Sequence, residues 1–169
     1  MKVKHYFLTG LPFVGKTTAL LRIVRSLECA SGFITQAVDH NGKRTGLNIL
    51  TSGGQIFHVA TVDLTSSHRR IGKYSVDLEA LNEAMQWTLE NSKRSEYVYM
   101  DEIGTLYCQS PFFIDSVRTL LDSRSVIGTI ARKGHGFIHE IHRRQDCSFT
   151  EITAENRDDI PGSMLQQLV

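Results

Sequence analysis

Residues 10–17 read Gly10-Leu11-Pro12-Phe13-Val14-Gly15-Lys16-Thr17. This is a complete G-x-x-x-x-G-K-[ST] pattern, in which the glycines let the backbone curl around phosphate groups and the loop amides donate to phosphate oxygens. Lys16 is predicted to neutralise charge on the β- and γ-phosphates, and Thr17 is predicted to offer its hydroxyl to Mg²⁺. The alternative interpretation is an ordinary glycine-rich turn with an exposed lysine.

The surroundings of this pattern favour the phosphate-binding interpretation. Residues 3–9 are β-prone and rich in apolar side chains, and from Thr18 onward apolar residues recur at helical spacing. A loop between a strand and a helix places free backbone amides at the helix N-terminus, where they bind anions. We therefore predict a phosphate loop whose nucleotide-binding residues are Gly10, Leu11, Pro12, Phe13, Val14, Gly15, Lys16, Thr17 and Thr18.

A phosphate loop needs a second carboxylate that anchors magnesium at the end of another central strand. The run Tyr97-Val98-Tyr99-Met100 is β-prone and is followed by Asp101 and Glu102. We predict that Asp101, the Walker B residue, holds Mg²⁺ together with Thr17. Glu102 is predicted to accept a hydrogen bond or a proton from the attacking water, which makes Glu102 and Lys16 the catalytic candidates. Taken alone, such an acidic pair also fits a helix cap or a solvated surface.

Charge on the γ-phosphoryl group calls for a cation besides Lys16 and magnesium. The candidates are basic residues that follow a strand or lie in a polar loop, namely Arg69, Arg70, Lys73, Arg132 and Lys133. Surface solvation explains each of them equally simply. Thr129, near the end of a predicted strand at residues 126–131, is either a γ-phosphate sensor or a buried strand threonine.

Strands and helices alternate along most of the chain, which predicts an α/β fold with a mostly parallel sheet and helices on both faces. Residues 33–63 differ, because short β-prone runs are separated there by Asn41-Gly42 and other glycine turns. We expect an antiparallel hairpin region at this point. Asp77 is the predicted N-cap of a helix that ends near Asn91, and a further helix is predicted over 111–124.

The length, charge and cysteine content of the chain limit its domain number, partners and compartment. With 169 residues and 41% hydrophobic content, the chain can bury one sizeable core, and we predict a single domain over residues 1–169. The formal charge of +1 argues against nucleic acid and against a membrane surface as partners. No apolar run reaches the roughly 18 residues of a membrane-spanning helix. The three cysteines are far apart and odd in number, so we expect reduced thiols in a cytoplasmic protein.

The whole chain resembles the thermophile-type nucleoside-triphosphatase family, which includes the cancer-related nucleoside-triphosphatase of vertebrates. The resemblance covers the phosphate loop and several separated blocks, namely residues 32–35, 42–46, 71–74, 101–104, 128–130 and 153–157. It implies a RecA-like P-loop fold and slow hydrolysis of ATP, GTP and other nucleoside triphosphates to diphosphate and phosphate, with little base discrimination. The nucleotide-binding segments that it implies are residues 10–17 and Tyr97, Val98, Tyr99, Met100, Asp101, Glu102, Ile103 and Gly104.

Two departures from the family pattern concern the site. Phe13 stands where the family loop usually carries glycine, which could change how closely the loop wraps the β-phosphate. Leu106-Tyr107 stands where the family usually has a Met-Glu pair, so this chain lacks that downstream acid.

Two other classes of function compete with hydrolysis. A nucleotide or small-molecule kinase would use the same phosphate loop to present the γ-phosphate to an alcohol or phosphate acceptor. Glu102 and the lack of a compact arginine-rich lid in the sequence argue against it. A nucleotide-gated regulatory module would bind RNA, DNA or a protein and would hydrolyse nucleotide only as a timer. The near-zero net charge and the few aromatic residues argue against nucleic acid, and the sequence does not identify a protein partner.

Overall fold

The computed structural model describes residues 4–63 and 69–168. Strands and helices alternate over most of this length. In chain order the elements are β1 (His5–Thr9), α1 (Lys16–Val24), β2 (Ala30–His40), β3 (Lys43–Thr51), β4 (Ile56–Thr61), β5 (Arg69–Ile71), β6 (Tyr74–Val76), α2 (Leu78–Asn91), β7 (Tyr97–Ile103), α3 (Pro111–Ser123), β8 (Ser125–Ile130), α4 (Phe137–His142), β9 (Cys147–Glu151) and α5 (Ile160–Leu168). Short 3-10 helices lie at Ser92–Arg94 and Tyr107–Gln109.

The strands form one sheet in the order β5-β6-β4-β3-β2-β7-β8-β1-β9. From β2 to β9 every neighbouring pair is parallel, whereas β3, β4, β6 and β5 continue the sheet from β2 with antiparallel pairing. The predicted α/β sheet with an antiparallel region is confirmed. The carboxyl ends of β1 and β7 lie at the same edge, with β8 between them.

Helices cover both faces of the sheet, as predicted. On one face α2, α3 and α4 bury side chains such as Leu81, Val117 and Ile141, and on the other α1 and α5 bury Leu20 and Met164. Each helix contributes an apolar stripe at helical spacing. The parallel strands are buried from both sides, because helices pack on both of their faces.

The antiparallel part of the sheet is larger than predicted. Arg69 and Arg70 lie on β5, which pairs with β6 through Arg69↔Val76 and Arg70↔Ser75, so the polar-loop prediction for these residues was wrong. The pairing with β6 supplies hydrogen bonds that the local sequence did not reveal, because β5 is only three residues long. The predicted N-cap is confirmed, since the Asp77 carboxylate accepts from the amides of Glu79 and Ala80.

Strand β7 continues past Met100 and includes Asp101 and Glu102, because Ile103 still pairs with Ile130 of β8. The two acids lie within the strand, at an irregularity of the β7–β8 ladder between Met100 and Ile103, and not in the loop that follows it. Within residues 4–63 and 69–168, the helices are all too short or too polar to cross a bilayer.

Candidate active site

The phosphate loop connects β1 to α1 and depends on backbone conformations that glycine adopts easily. Gly10 has φ 141° and Gly15, which caps α1, has φ 107°. A Cβ atom at position 10 would lie 2.5 Å from the carbonyl oxygen of Ile152, so a larger residue would push the loop away from the segment after β9. The loop thus needs glycine at position 10 for both space and φ.

Lys16 is the first residue of α1 and lies across the loop. Its ammonium group donates to the carbonyl oxygens of Gly10 at 3.1 Å and Leu11 at 2.9 Å. These contacts hold the positive charge inside the curve of the loop, close to the free amides at the N-terminus of α1. Both features favour a bound anion.

Asp101 is buried at 2% exposure and is held by three donors from separate elements. Its carboxylate accepts from the hydroxyls of Thr17 at 2.8 Å and Thr129 at 2.6 Å, and from the amide of Thr35 at 3.3 Å. Burial raises the pKa of this carboxyl, while the hydrogen bonds from Thr129 and Thr17 act in the opposite direction. The donors fix the carboxylate beside the phosphate loop.

Thr129 therefore acts on Asp101 rather than lying in the open part of the site. Its side chain is fully buried, and its hydroxyl is directed at one carboxylate oxygen. Of the two interpretations of this residue, the structure favours the buried strand threonine.

The side chains of Thr17 and Asp101 fit a hard divalent cation. A hydroxyl and a carboxylate oxygen lie 2.8 Å apart, and oxygen donors of this kind are what Mg²⁺ prefers. No group of three or more His, Cys, Asp or Glu side chains suited to a metal occurs in residues 4–63 and 69–168. Magnesium bound through a few protein oxygens usually completes its coordination with water and substrate phosphates.

Glu102 is exposed to solvent and lines the cavity next to Asp101. Desolvation by the cleft raises the pKa of its carboxyl, the charge of Asp101 raises it further, and Lys16 lowers it. A Cβ atom on Gly104 would lie 2.7 Å from Glu102 Oε1. Glycine at position 104 thus leaves room for the carboxylate.

The phosphate loop and the two acids open into a cavity of about 510 Å³. Its other lining residues come from β2, β3, β6 and the segment after β7, and we call them the second wall: Thr35, Ala37, Arg44, Leu47, Tyr74, Leu106 and Tyr107.

Hydrogen bonds tie this wall to the acidic strand. The hydroxyl of Thr35 lies 2.8 Å from that of Tyr107 and also donates to the backbone carbonyl of Asp101. Burial raises the pKa of Tyr107, which therefore stays protonated.

Arg44 is the functional candidate that sequence reasoning missed. It lines the cavity, and its guanidinium carbon lies 5.2 Å from the centroid of the Phe13 ring. Arg44 falls within one of the blocks that resemble the family, just after the Asn41-Gly42 turn. That signal marks a hairpin, but it does not reveal that the hairpin reaches the phosphate loop.

The predicted nucleotide-binding residues separate into two groups. The residues that line the cavity are Pro12, Phe13, Gly15, Lys16, Thr17, Thr18, Asp101, Glu102 and Gly104. The others shape the site from behind or outside it, namely Gly10, Leu11, Val14, Tyr97, Val98, Tyr99, Met100 and Ile103. Val98, Met100 and Ile103 are fully buried core residues, and Leu11 is 61% exposed.

The basic residues proposed from sequence as partners of the γ-phosphate lie elsewhere. Arg132 is paired with Glu151 at 3.2 Å, and Arg69 and Arg70 are exposed on β5. The ammonium of Lys73 lies over the ring of Tyr74. Among the described residues, Lys16 and Arg44 are the cations that line the cavity.

A family model described as NTPase matches residues 5–165. The chain belongs to the NTPase family. Among relatives in this family, the nucleoside-triphosphatase THEP1 of Thermotoga sp. (strain RQ2) is 34% identical over 163 residues, which cover 95% of this chain and 93% of the relative. The predicted family is thus confirmed.

Solved structures of two relatives have the same fold. The crystal structure of THEP1 from the hyperthermophile Aquifex aeolicus superposes with a TM-score of 0.84 at 31% identity, covering 97% of this chain and 98% of that one. The solution structure of a human cancer-related nucleoside triphosphatase gives a TM-score of 0.81 at 30% identity, covering 98% and 97%. Both likenesses extend over nearly the whole of each chain.

Proposed function

We propose that this NTPase-family chain is a magnesium-dependent nucleoside triphosphatase with a RecA-like P-loop fold. It would hydrolyse ATP, GTP and other nucleoside triphosphates to diphosphate and phosphate. The observation that carries the proposal is the contact between Thr17 and Asp101, at 2.8 Å, next to a catalytic candidate, Glu102, that faces the same cavity. This contact joins the phosphate loop to the acidic strand.

Thr17 and Asp101 would hold Mg²⁺, which supplies charge neutralisation on the β- and γ-phosphate oxygens. Thr129 and Thr35 support this role because they fix the Asp101 carboxylate from behind. The amides of the phosphate loop and the Lys16 ammonium would bind the remaining phosphate oxygens.

Glu102 would orient the attacking water and accept its proton as the water oxygen bonds to the γ-phosphorus. The bond between that phosphorus and the β-γ bridging oxygen breaks at the same time, and the diphosphate leaves. The position of Glu102 beside Asp101 supports the assignment of Asp101 to the metal and Glu102 to the water, since a base must reach past the metal ligand to the water. Gly104 keeps the space that the Glu102 carboxylate needs.

Base selectivity is proposed to be weak. The lining residues of the cavity come from the phosphate loop, the acidic strand and the second wall, and none of these segments carries a recognisable base-reading motif. Turnover should be compared across ATP, GTP, CTP and UTP. A preference above ~100-fold in kcat/KM, equivalent to about 2.7 kcal/mol, would contradict this part of the proposal.

The roles of the two acids can be separated by isosteric substitution. Glu102→Gln should reduce single-turnover hydrolysis by about 10²- to 10⁴-fold and leave magnesium-nucleotide binding nearly unchanged, because an amide cannot act as the base. Asp101→Asn should instead weaken the response to magnesium. Near-wild-type turnover in Glu102→Gln would refute its assignment and leave nucleotide binding by the loop intact.

A kinase remains the second candidate, because the cavity continues beyond the phosphate loop to Ala37, Leu47 and Tyr74. That space could admit an acceptor other than water. Phosphate release should therefore be measured with and without small alcohols and nucleoside monophosphates. Hydrolysis predicts that release equals nucleotide consumption in every case, whereas a kinase would show less free phosphate when its acceptor is present.

The proposed compartment is the cytoplasm. Cys29, Cys108 and Cys147 are free thiols, which is the usual state of cysteines in a reducing compartment. We also propose that one domain carries both nucleotide binding and hydrolysis, since β1, which leads into the loop, and β7, which contains both acids, belong to one sheet.

A further inference from the structure

Arg44 has an unusual position for an arginine in this chain. It is the second residue of β3, separated by Lys43 from the turn at Asn41-Gly42, and its backbone lies opposite that of Asp39 in the β2–β3 ladder. Its side chain is half-buried and lines the cavity that contains Lys16, Asp101 and Glu102. The hairpin thus carries a permanent positive charge from the antiparallel part of the sheet to the phosphate loop.

Several other arginines already have carboxylate partners. Arg22 pairs with Asp158, Arg118 with Asp115 and Glu140, Arg132 with Glu151, and Arg144 with Asp146. Within residues 4–63 and 69–168, Arg44 forms no ion pair and is the one arginine that lines the cavity. Its guanidinium donors are therefore available to a ligand.

The aromatic ring of Phe13 fixes where this charge is held. Phe13 belongs to the phosphate loop, is 84% exposed and has a left-handed φ of 64°. The guanidinium carbon of Arg44 lies 5.2 Å from the centroid of its ring, within the range of a cation–π contact. A guanidinium carries its N–H groups in a planar fork at its edge, so a contact with a ring leaves donors that can bind phosphate oxygens.

We infer that Arg44 is a catalytic residue that contacts the γ-phosphoryl group, and that Phe13 is the positioning residue that holds its guanidinium beside the phosphate loop. This inference rests on the hydrolysis proposed above. In that reaction negative charge spreads over the γ-phosphoryl oxygens in the transition state, and a guanidinium donates to two such oxygens at once. Arg44 would supply from within the chain a cation that some phosphate-loop enzymes also carry themselves and others take from a partner.

The first measurement is single-turnover ATP hydrolysis by wild type, Arg44→Ala and Arg44→Lys. We expect Arg44→Ala to lose about 10²- to 10³-fold in rate with less than ~10-fold change in KM, as for loss of one transition-state donor. Arg44→Lys should recover only part of the rate, because an ammonium lacks the planar fork. Arg132→Ala is the matched control, since Arg132 is bound to Glu151, and its rate should equal that of wild type.

Two further readouts distinguish contact with the phosphoryl group from a structural role. Guanidinium ion at millimolar concentration should raise the rate of Arg44→Ala and leave Arg132→Ala unchanged. Aluminium fluoride, which mimics the transferred phosphoryl group, should tighten magnesium-ADP binding to wild type but not to Arg44→Ala, whereas ADP alone should bind both equally. Phe13→Leu should lower the rate by roughly 3- to 10-fold, the scale of one cation–π contact.

The inference is overturned if Arg44→Ala hydrolyses ATP within threefold of wild type, or if its slower rate comes with weaker ADP binding and no response to guanidinium. Its failure can be told apart from failure of the proposed function. If wild type turns over, Glu102→Gln does not and Arg44→Ala is normal, then hydrolysis stands and only the role of Arg44 is wrong. If the wild-type protein releases no phosphate from ATP, both the proposed hydrolysis and the role of Arg44 are wrong.

Discussion

The phosphate loop and the second wall face the same cavity, but the chain builds them differently. The loop is a consecutive stretch between β1 and α1, and we propose that it binds phosphate largely through backbone amides and Lys16. The second wall draws single side chains from β2, β3, β6 and the segment after β7. A backbone-built site tolerates changes in most side chains. A wall of separate side chains depends on strand register, so we expect it to modulate the rate rather than to create binding.

The largest effect is expected in the loop. Lys16→Ala should reduce turnover by about 10³-fold or more and weaken triphosphate binding. The variant lacks the ammonium group that would donate charge-assisted hydrogen bonds to the β- and γ-phosphate oxygens. Steady-state phosphate release and equilibrium titration with magnesium-ATP measure the two effects. Lys133→Ala, an exposed lysine after β8, serves as the control. Equal rates in the two variants would mean that the loop does not bind the phosphates.

The next largest effect is expected on the magnesium requirement, through Thr17 and Asp101. Thr17→Ala and Asp101→Ala should each raise the magnesium concentration for half-maximal turnover by about 10- to 100-fold, because each removes an oxygen assigned to the metal. Thr129→Val should give a smaller shift in the same direction, since Thr129 acts only through its 2.6 Å hydrogen bond to Asp101. Unchanged magnesium titrations would show that the metal binds elsewhere.

A substitution at Gly104 tests the position of the Glu102 carboxylate without removing a functional group. Gly104→Ala would place a Cβ atom 2.7 Å from Glu102 Oε1, and the flexible glutamate should move aside. We expect kcat to fall by roughly 10- to 100-fold, as for misplacement of a catalytic group by about 1 Å, with little change in Tm. Gly162→Ala is the control, because a Cβ atom there meets no atom within 4 Å.

Within the second wall, Tyr107→Phe should have a modest effect. It removes the hydroxyl that lies 2.8 Å from Thr35 Oγ1, and one such hydrogen bond contributes about 1 kcal/mol. We expect kcat to fall by less than about tenfold with unchanged KM. Tyr6→Phe loses a hydroxyl that contacts Gln167 instead and should leave kcat unaltered. A Tyr107→Phe variant as inactive as Lys16→Ala would contradict the division between the two regions.

The smallest effect on activity is expected from His5, which lies outside both regions. His5 is fully buried, and desolvation lowers its pKa from 6.5 to about 4. As the pH falls below 6.5, His5 becomes protonated in the unfolded chain but stays neutral in the folded protein. The free energy of unfolding should therefore decrease by up to roughly 3 kcal/mol between pH 6.5 and 4.

Denaturant titrations across this range measure the effect. His5→Gln should flatten the dependence on pH while kcat near pH 7.5 stays within twofold of wild type. Arg144 is the main cause that lowers the pKa of Asp146 to about 2, so this carboxylate stays ionised in the folded protein over the window. Its own effect on stability begins only at about pH 4, where the unfolded carboxyl takes up protons. A wild-type stability that rises as the pH is lowered would contradict the prediction.

The sequence by itself determined the phosphate loop, the pair of acids and the α/β class. Each of these is expressed within a short stretch, because glycine conformations, helix capping and an apolar run ended by acids are local properties of the chain. Asp77 as a helix cap and the hairpin region over residues 33–63 were recognisable for the same reason. The family resemblance added the antiparallel blocks but not their place in the site.

Only the tertiary structure decided which distant residues meet at the cavity. Thr129 contacts Asp101 because β7 and β8 are neighbours and their ladder shifts register between Met100 and Ile103. Arg44 contacts Phe13 because the long β2–β3 hairpin extends beside the phosphate loop. Sheet order and register result from pairing between segments far apart in sequence, and a shift of one residue would turn each of these side chains to the opposite face. No local pattern records that pairing, so the sequence indicated Arg132, which pairs with Glu151, and did not indicate Arg44, which lines the cavity.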